Sequence, residues 1–236
     1  MKLFCIHYGG GSQFSLVHLG KYLNPSIETI YLEVPGRGKR IREALLTDLE
    51  LMAEDIYQQV RPQLTNNEEY ILFGHSLGGM LIFLLTRILK EKGHKMPIHM
   101  IPSGVKAPKF NNDGKIIFHK LDDENFKKEL FELGGIPKEV RQSKELLEFF
   151  LPILRADFTA IETYEYTEAL PLAVPITALS GLDEDILEDD LMLWQNETTL
   201  PVKIQQFPGD HFFILERFQE IGEIINEVSR KNVLEI

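Results

Sequence analysis

An α/β architecture, a largely parallel sheet with helices on both faces, is what this sequence predicts. Three observations carry it. Apolar runs of strand length alternate with amphipathic runs of helix length along most of the 236 residues. Length and composition suit one domain with a sizeable core: 44% of residues are hydrophobic and 26% charged, which is ordinary for a globular chain. A glycine-flanked serine, Gly74-His75-Ser76-Leu77-Gly78, stands where one of those strands gives way to a helix.

Taken in order, strands are expected at residues 3–8, 29–34, 70–73, 98–102, 176–179 and 202–207. Helices are expected at 13–23, 46–63, 80–92, 188–195 and 212–229. In such sheets the chemistry sits at the carboxyl ends of the strands. Alternation breaks between 110 and 167. A polar turn, Asn111-Asn112-Asp113-Gly114, is followed by two helical patterns at 124–133 and 143–154, and no strand run interrupts them. The expectation is a single domain over 1–236 with a helical lid, 110–167, inserted in it.

The serine motif has the pattern of a nucleophile elbow. The apolar strand Tyr70-Ile-Leu-Phe73 precedes it and a long apolar helix follows. The glycines flank the serine because the chain packs too closely there for a Cβ. The helix points its first N–H groups at the site, where negative charge is stabilised. A serine hydroxyl is a poor nucleophile near neutral pH and needs a base, which in turn needs an orienting acid. The chain order in an α/β-hydrolase fold is serine, acid, histidine. Of the seven histidines, only His211 follows the last strand and precedes the last helix, so His211 is the candidate base. The acid should follow the strand at 176–179, where Asp183, Glu184 and Asp185 stand in a row. Asp183, the first of them, is favoured, with Glu184 the principal alternative and Asp185 the third. An oxyanion hole needs two backbone N–H groups. Leu77, just after the nucleophile, and Gly9, in the loop after the first strand, are the candidates.

Bulk properties narrow the partners. A formal net charge of -11 disfavours nucleic acid and anionic membranes. No apolar stretch reaches membrane-spanning length. A single cysteine, Cys5, excludes an internal disulfide and fits a reducing, cytoplasmic setting. No histidine pairs with cysteine or carboxylates at metal-ligand spacing. Gly9-Gly10-Gly11 does not continue into a dinucleotide fingerprint, because position 14 is Phe.

Over almost its whole length the chain resembles the type II thioesterases, the free-standing editing hydrolases of nonribosomal peptide and polyketide synthesis. Tyr8-Gly-Gly-Gly-Ser12 resembles the family's P-Y-A-G-G-S, and Pro35-Gly-Arg-Gly-Lys-Arg40 fits its P-G-R-G-x-R. Phe73-Gly-His-Ser-Leu-Gly78 fits F-G-H-S-M-G, and Ser103-Gly104 with Ala107-Pro108 resembles S-G-x-x-A-P. Pro152-Ile-Leu-Arg-Ala-Asp-Phe158 resembles P-x-L-R-A-D-F, followed by Tyr164 and Tyr166. Trp194 and Gly209-Asp-His-Phe-Phe213 complete the match. His7 replaces the family's proline and Gly9 its alanine. Counted from Gly181, the family's G-x-x-D slot is Glu184; counted back from Ile186 and Trp194, it is Asp183.

The resemblance implies hydrolysis of acyl thioesters on the phosphopantetheine arm of a carrier protein through Ser76, His211 and Asp183, with no cofactor or metal of the chain's own. The expected partners are acyl or peptidyl carrier domains, and the chain is expected to be a monomer. Carriers are typically acidic, so docking on an acidic enzyme needs a local basic or apolar patch; Arg37, Lys39, Arg40 and Arg42 are candidates. A general esterase or acyl-CoA thioesterase on the same fold is the alternative.

Overall fold

In a computed structural model of the protein, residues 1–65, 68–109, 116–134, 136 and 138–231 are described. Six parallel strands form one sheet: β1 (Lys2–Ile6), β2 (Glu28–Leu32), β3 (Tyr70–His75), β4 (His99–Ser103), β5 (Ile176–Gly181) and β6 (Val202–Phe207). Their order is β2-β1-β3-β4-β5-β6. The chain starts one strand in from an edge, builds outward to β2 at that edge, then crosses β1 to build the other way. The reversal leaves a crevice between the carboxyl ends of β1 and β3.

Seven α-helices are described: α1 (Leu49–Val60), α2 (Leu77–Glu91), α3 (Asp123–Leu133), α4 (Lys138–Gln142), α5 (Lys144–Glu162), α6 (Glu188–Met192) and α7 (Phe218–Lys231). The two-residue repeat of the strands divides the core between the two faces. Phe4, Ile6 and Leu72 pack with Met52, Ile56, Leu81 and Leu85 of α1 and α2. Leu3, Cys5, Ile71 and Phe73 pack with Ile221 and Ile225 of α7 on the other face. The Asp48 side chain accepts the Leu51 N–H and so starts α1 at Leu49 rather than at 46.

All six strands stand within two residues of their expected positions. The expected helix at 13–23 is instead a short 3-10 helix, Val17–Tyr22. Buried Leu16, just before it, and Leu19 within it repeat at i,i+3, which suits three residues per turn as well as an α-helix, and Gly20 weakens the latter. The pattern at 212–229 divides, because a 3-10 turn, Phe213–Leu215, precedes α7. Between β4 and β5 the described residues hold helices and no strand. Helix α5 runs beyond 154 to Glu162, with Pro152 inside it. The turn Asn111–Gly114 lies outside the described residues. Among the described residues, no helix is long and apolar enough to cross a membrane.

Candidate active site

Strand β3 ends at His75 and α2 begins at Leu77, so one residue turns the chain. That residue is Ser76, at φ 53° and ψ -115°, the only non-glycine with positive φ among the described residues. Such a conformation costs about 1–3 kcal/mol and persists only where the surroundings enforce it. Here the Ser76 N–H donates to the Ser103 carbonyl at 2.7 Å, and the Ser76 carbonyl accepts from Gly79 N–H at 2.9 Å. A Cβ on Gly74 would overlap the Gly78 carbonyl, and one on Gly78 would overlap the Ile6 carbonyl of β1. The flanking glycines are therefore spacing elements that let α2 start against the sheet.

The Leu77 N–H is the first of α2 and has no intrahelical acceptor. Across the crevice, Gly11 N–H closes a turn onto the Tyr8 carbonyl at 3.0 Å, and Gly10 N–H donates to Asp157 Oδ2 at 2.7 Å. The Gly9 N–H makes no hydrogen bond among the described residues. Both sequence-predicted oxyanion donors thus belong to segments that border the crevice. His7, the departure from the family's proline, is buried and donates from Nδ1 to the Tyr8 carbonyl at 2.8 Å, bracing the same turn.

His211 follows β6. Its Nδ1 lies 2.8 Å from Glu184 Oε2, and the carboxylate side chain is only 4% exposed. A carboxylate accepts, so Nδ1 carries the proton and Nε2 keeps its lone pair. The other oxygen, Glu184 Oε1, accepts the Gly181 N–H at 2.6 Å. The expectation of Asp183 as the acid is corrected by this geometry: Asp183 is exposed and does not meet His211. After β5 the backbone turns, with Leu182 N–H on the Phe207 carbonyl at 2.8 Å and Asp183 N–H on the Gly209 carbonyl at 3.0 Å. That turn aims Asp183 at solvent and brings the longer glutamate back under the imidazole. Asp185 is also exposed.

No hydrogen bond joins Ser76 Oγ to His211 among the described residues. What holds the two segments together is His75, which the sequence reading passed over. Its Nε2–H donates to the His211 carbonyl at 2.9 Å, and its Nδ1 is 2.9 Å from Ser103 Oγ, which donates to it. The His75 and His211 rings stand 5.1 Å apart. Tyr8 meets the edge of His75, and Phe212 meets the edge of His211, so aromatic rings wall the site. Burial, and then the neighbouring His211, push the His75 pKa well below its ordinary 6.5. Neutral His75 is what the two bonds require, since an imidazolium could not accept from Ser103.

This has a consequence for stability. Below pH 6.5 the unfolded chain binds a proton at His75 that the folded chain refuses, so unfolding is favoured as pH falls. The contribution is fully present above 6.5 and erodes below it by up to about 1.4 kcal/mol per pH unit. Urea unfolding of wild type and His75→Asn at neutral pH and at about pH 5.5 is expected to show a steeper acid loss for wild type. Identical pH dependence in both would refute this role for His75.

Arg37 is not a surface residue. It is 2% exposed and forms a two-pronged pair with Asp157 of α5, at 2.6 and 2.7 Å. Arg40 pairs with Asp55 and Glu43. Of the four cations proposed for docking, Lys39 and Arg42 are exposed, with Lys39 over the Phe14 ring.

Residues 1–229 match the family model described as Thioesterase domain. The chain is 34% identical over 226 residues to the gramicidin S biosynthesis protein GrsT of Aneurinibacillus migulanus, covering 95% of this chain and 87% of that protein. Among solved structures it is similar to ClbQ from the colibactin NRPS/PKS pathway, with TM-score 0.91, 33% identity and coverage of 98% and 97% of the two chains. It is also similar to the type II thioesterase BorB from the borrelidin biosynthetic cluster, with TM-score 0.86, 31% identity and coverage of 96% and 91%.

Proposed function

The chain belongs to the thioesterase family, and from that premise we propose that Ser76, His211 and Glu184 hydrolyse acyl thioesters held on carrier proteins of an NRPS/PKS assembly line. The observation that carries the reading is a serine held at positive φ between β3 and α2, tied through His75 to an imidazole whose far nitrogen is fixed by a buried carboxylate. His211 Nε2 takes the Ser76 proton as Oγ attacks the thioester carbonyl. The oxyanion is met by the N–H groups of Leu77 and Gly9. The tetrahedral centre collapses, the C–S bond breaks, and His211 returns the proton to the leaving thiol. Water, deprotonated by His211, then attacks the acyl-serine and releases the acid.

This chemistry asks for no cofactor of the chain's own, since the phosphopantetheine arm arrives with the carrier. The helices between β4 and β5 are read as a lid over the acyl site, inserted in one domain. The exposed Lys39, Arg42 and Phe14 suit an acidic carrier better than the buried Arg37 does. We read the protein as a cytoplasmic monomer that engages neither nucleic acid nor membrane. The test is a comparison of an acyl group carried as a carrier-bound thioester with the same group as a simple oxygen ester. Preferential loss from the carrier, followed by intact mass, is expected. An untouched carrier beside a cleaved oxygen ester would move the protein to the general esterases.

A further inference from the structure

Two of the sequence motifs that the proposed triad does not use, P-G-R-G and R-A-D-F, meet inside the protein. Arg37, in the loop after β2, and Asp157, on α5, are 120 residues apart in sequence and both almost fully buried. The guanidinium donates twice to the carboxylate, and Asp157 Oδ2 accepts a third bond, from Gly10 N–H at 2.7 Å. Gly10 is the third residue of the turn closed by Gly11 N–H on the Tyr8 carbonyl; its φ is +74°, while Gly9 is not in the positive-φ region. That is the signature of a type II turn. Its central peptide joins two glycines, which have no side chains to choose between one orientation of that peptide and the flipped one. A flip would aim the Gly9 carbonyl at a buried carboxylate. Leu154, one turn earlier on α5, fills the space where a Gly10 Cβ would stand.

We propose that Asp157, oriented by Arg37, is a positioning residue for the oxyanion loop: its buried carboxylate holds the Gly9–Gly10 peptide in one orientation and so anchors the Tyr8–Gly11 turn, whose preceding peptide carries the Gly9 N–H. Arg37 supplies what a lone buried carboxylate lacks, a charge partner with a fixed fork. The inference rests on the reading of Ser76 as the nucleophile and Gly9 as an oxyanion donor.

The experiment uses Asp157→Leu, which leaves no acceptor for Gly10 N–H, with kcat and KM on a thioester and with two probes of matched chain. An acyl trifluoromethyl ketone adds Ser76 Oγ at its carbonyl and places the resulting oxyanion in the hole; the corresponding thioether fills the acyl site without reacting. In Asp157→Leu, kcat is expected to fall about 10- to 100-fold with KM changed by less than about threefold. Affinity for the ketone should fall by the same factor, and affinity for the thioether should stay. Equal loss for ketone and thioether, or a kcat within about twofold of wild type, would overturn the inference. If Asp157→Leu does not fold because Arg37 is left as an unpaired buried charge, the double variant Arg37→Met with Asp157→Leu removes both buried charges together and is measured in the same way. Failure of both to fold overturns it too, because the pair would then serve the fold. Wild type inert to ketone and thioester alike would instead overturn the reading of Ser76.

Discussion

Ser76→Ala is expected to lower kcat for release of a carrier-bound acyl group by about 10⁵-fold or more, with the fold unchanged. In the proposed mechanism the Ser76 hydroxyl is the group that forms the acyl bond. The substitution keeps the Cβ, so the strain of φ 53° is the same in both proteins, and Ser76 Oγ has no hydrogen bond to lose among the described residues. Stability should therefore move by no more than about 0.5 kcal/mol. The slow residual rate would come from the Leu77 and Gly9 N–H groups and from substrate binding. Intact-mass measurement of an acylated carrier under single-turnover conditions reads the loss, and thermal unfolding reads the fold. A variant that retains even about one-tenth of the rate would remove serine from the mechanism.

The second large effect separates the carboxylates. Glu184→Gln is expected to reduce kcat by about 10³- to 10⁴-fold, while Asp183→Asn stays within about twofold of wild type. The reason is a matter of which end of the amide faces where. Gly181 N–H donates to Oε1 at 2.6 Å, so a glutamine must keep its oxygen there and turn its NH₂ toward His211 Nδ1. Nδ1 can then only accept, the ring proton moves to Nε2, and Nε2 can no longer take the Ser76 proton. Asp183 is exposed, and nothing in its position bears on the imidazole. Steady-state kinetics on both variants decides the matter; a larger loss in Asp183→Asn would return the role to that residue.

The two cases show where reading the chain succeeds and where it stops. The strand–Ser76–helix turn is legible because it is local: five consecutive residues carry the spacing, and the glycines are required by backbone contacts that any such turn makes. The place of His211 is legible from element order alone, after the last strand and before the last helix. Four of the six strands are legible because burial on both faces leaves apolar runs. Which carboxylate meets His211 is not legible, because three adjacent carboxylates differ only in where a non-repeating turn aims each one. Leu182 and Asp183 N–H groups bond to residues 207 and 209, and those bonds set the aim. The part of His75 is hidden for a similar reason: its partners, Ser103 and the His211 carbonyl, come from two other strand ends. Adjacency to Ser76 and the Ser103-Gly104 motif are the only signals that pointed to it.

Arg37 shows the division most plainly. As sequence it is one of four cations in a six-residue window, and charge alone places it on the surface. In the fold it is buried against a carboxylate from a helix 120 residues later. Periodicity and local spacing by themselves determined the sheet, its two central helices α1 and α2, the serine turn and the histidine that follows the last strand, because each depends on neighbours in the chain. Which carboxylate meets His211, which histidine bridges the two loops, and which arginine leaves the surface were decided only when strand ends remote in sequence came together. A side chain's partner depends on distances of a few ångströms between segments, and no pattern within one segment encodes them.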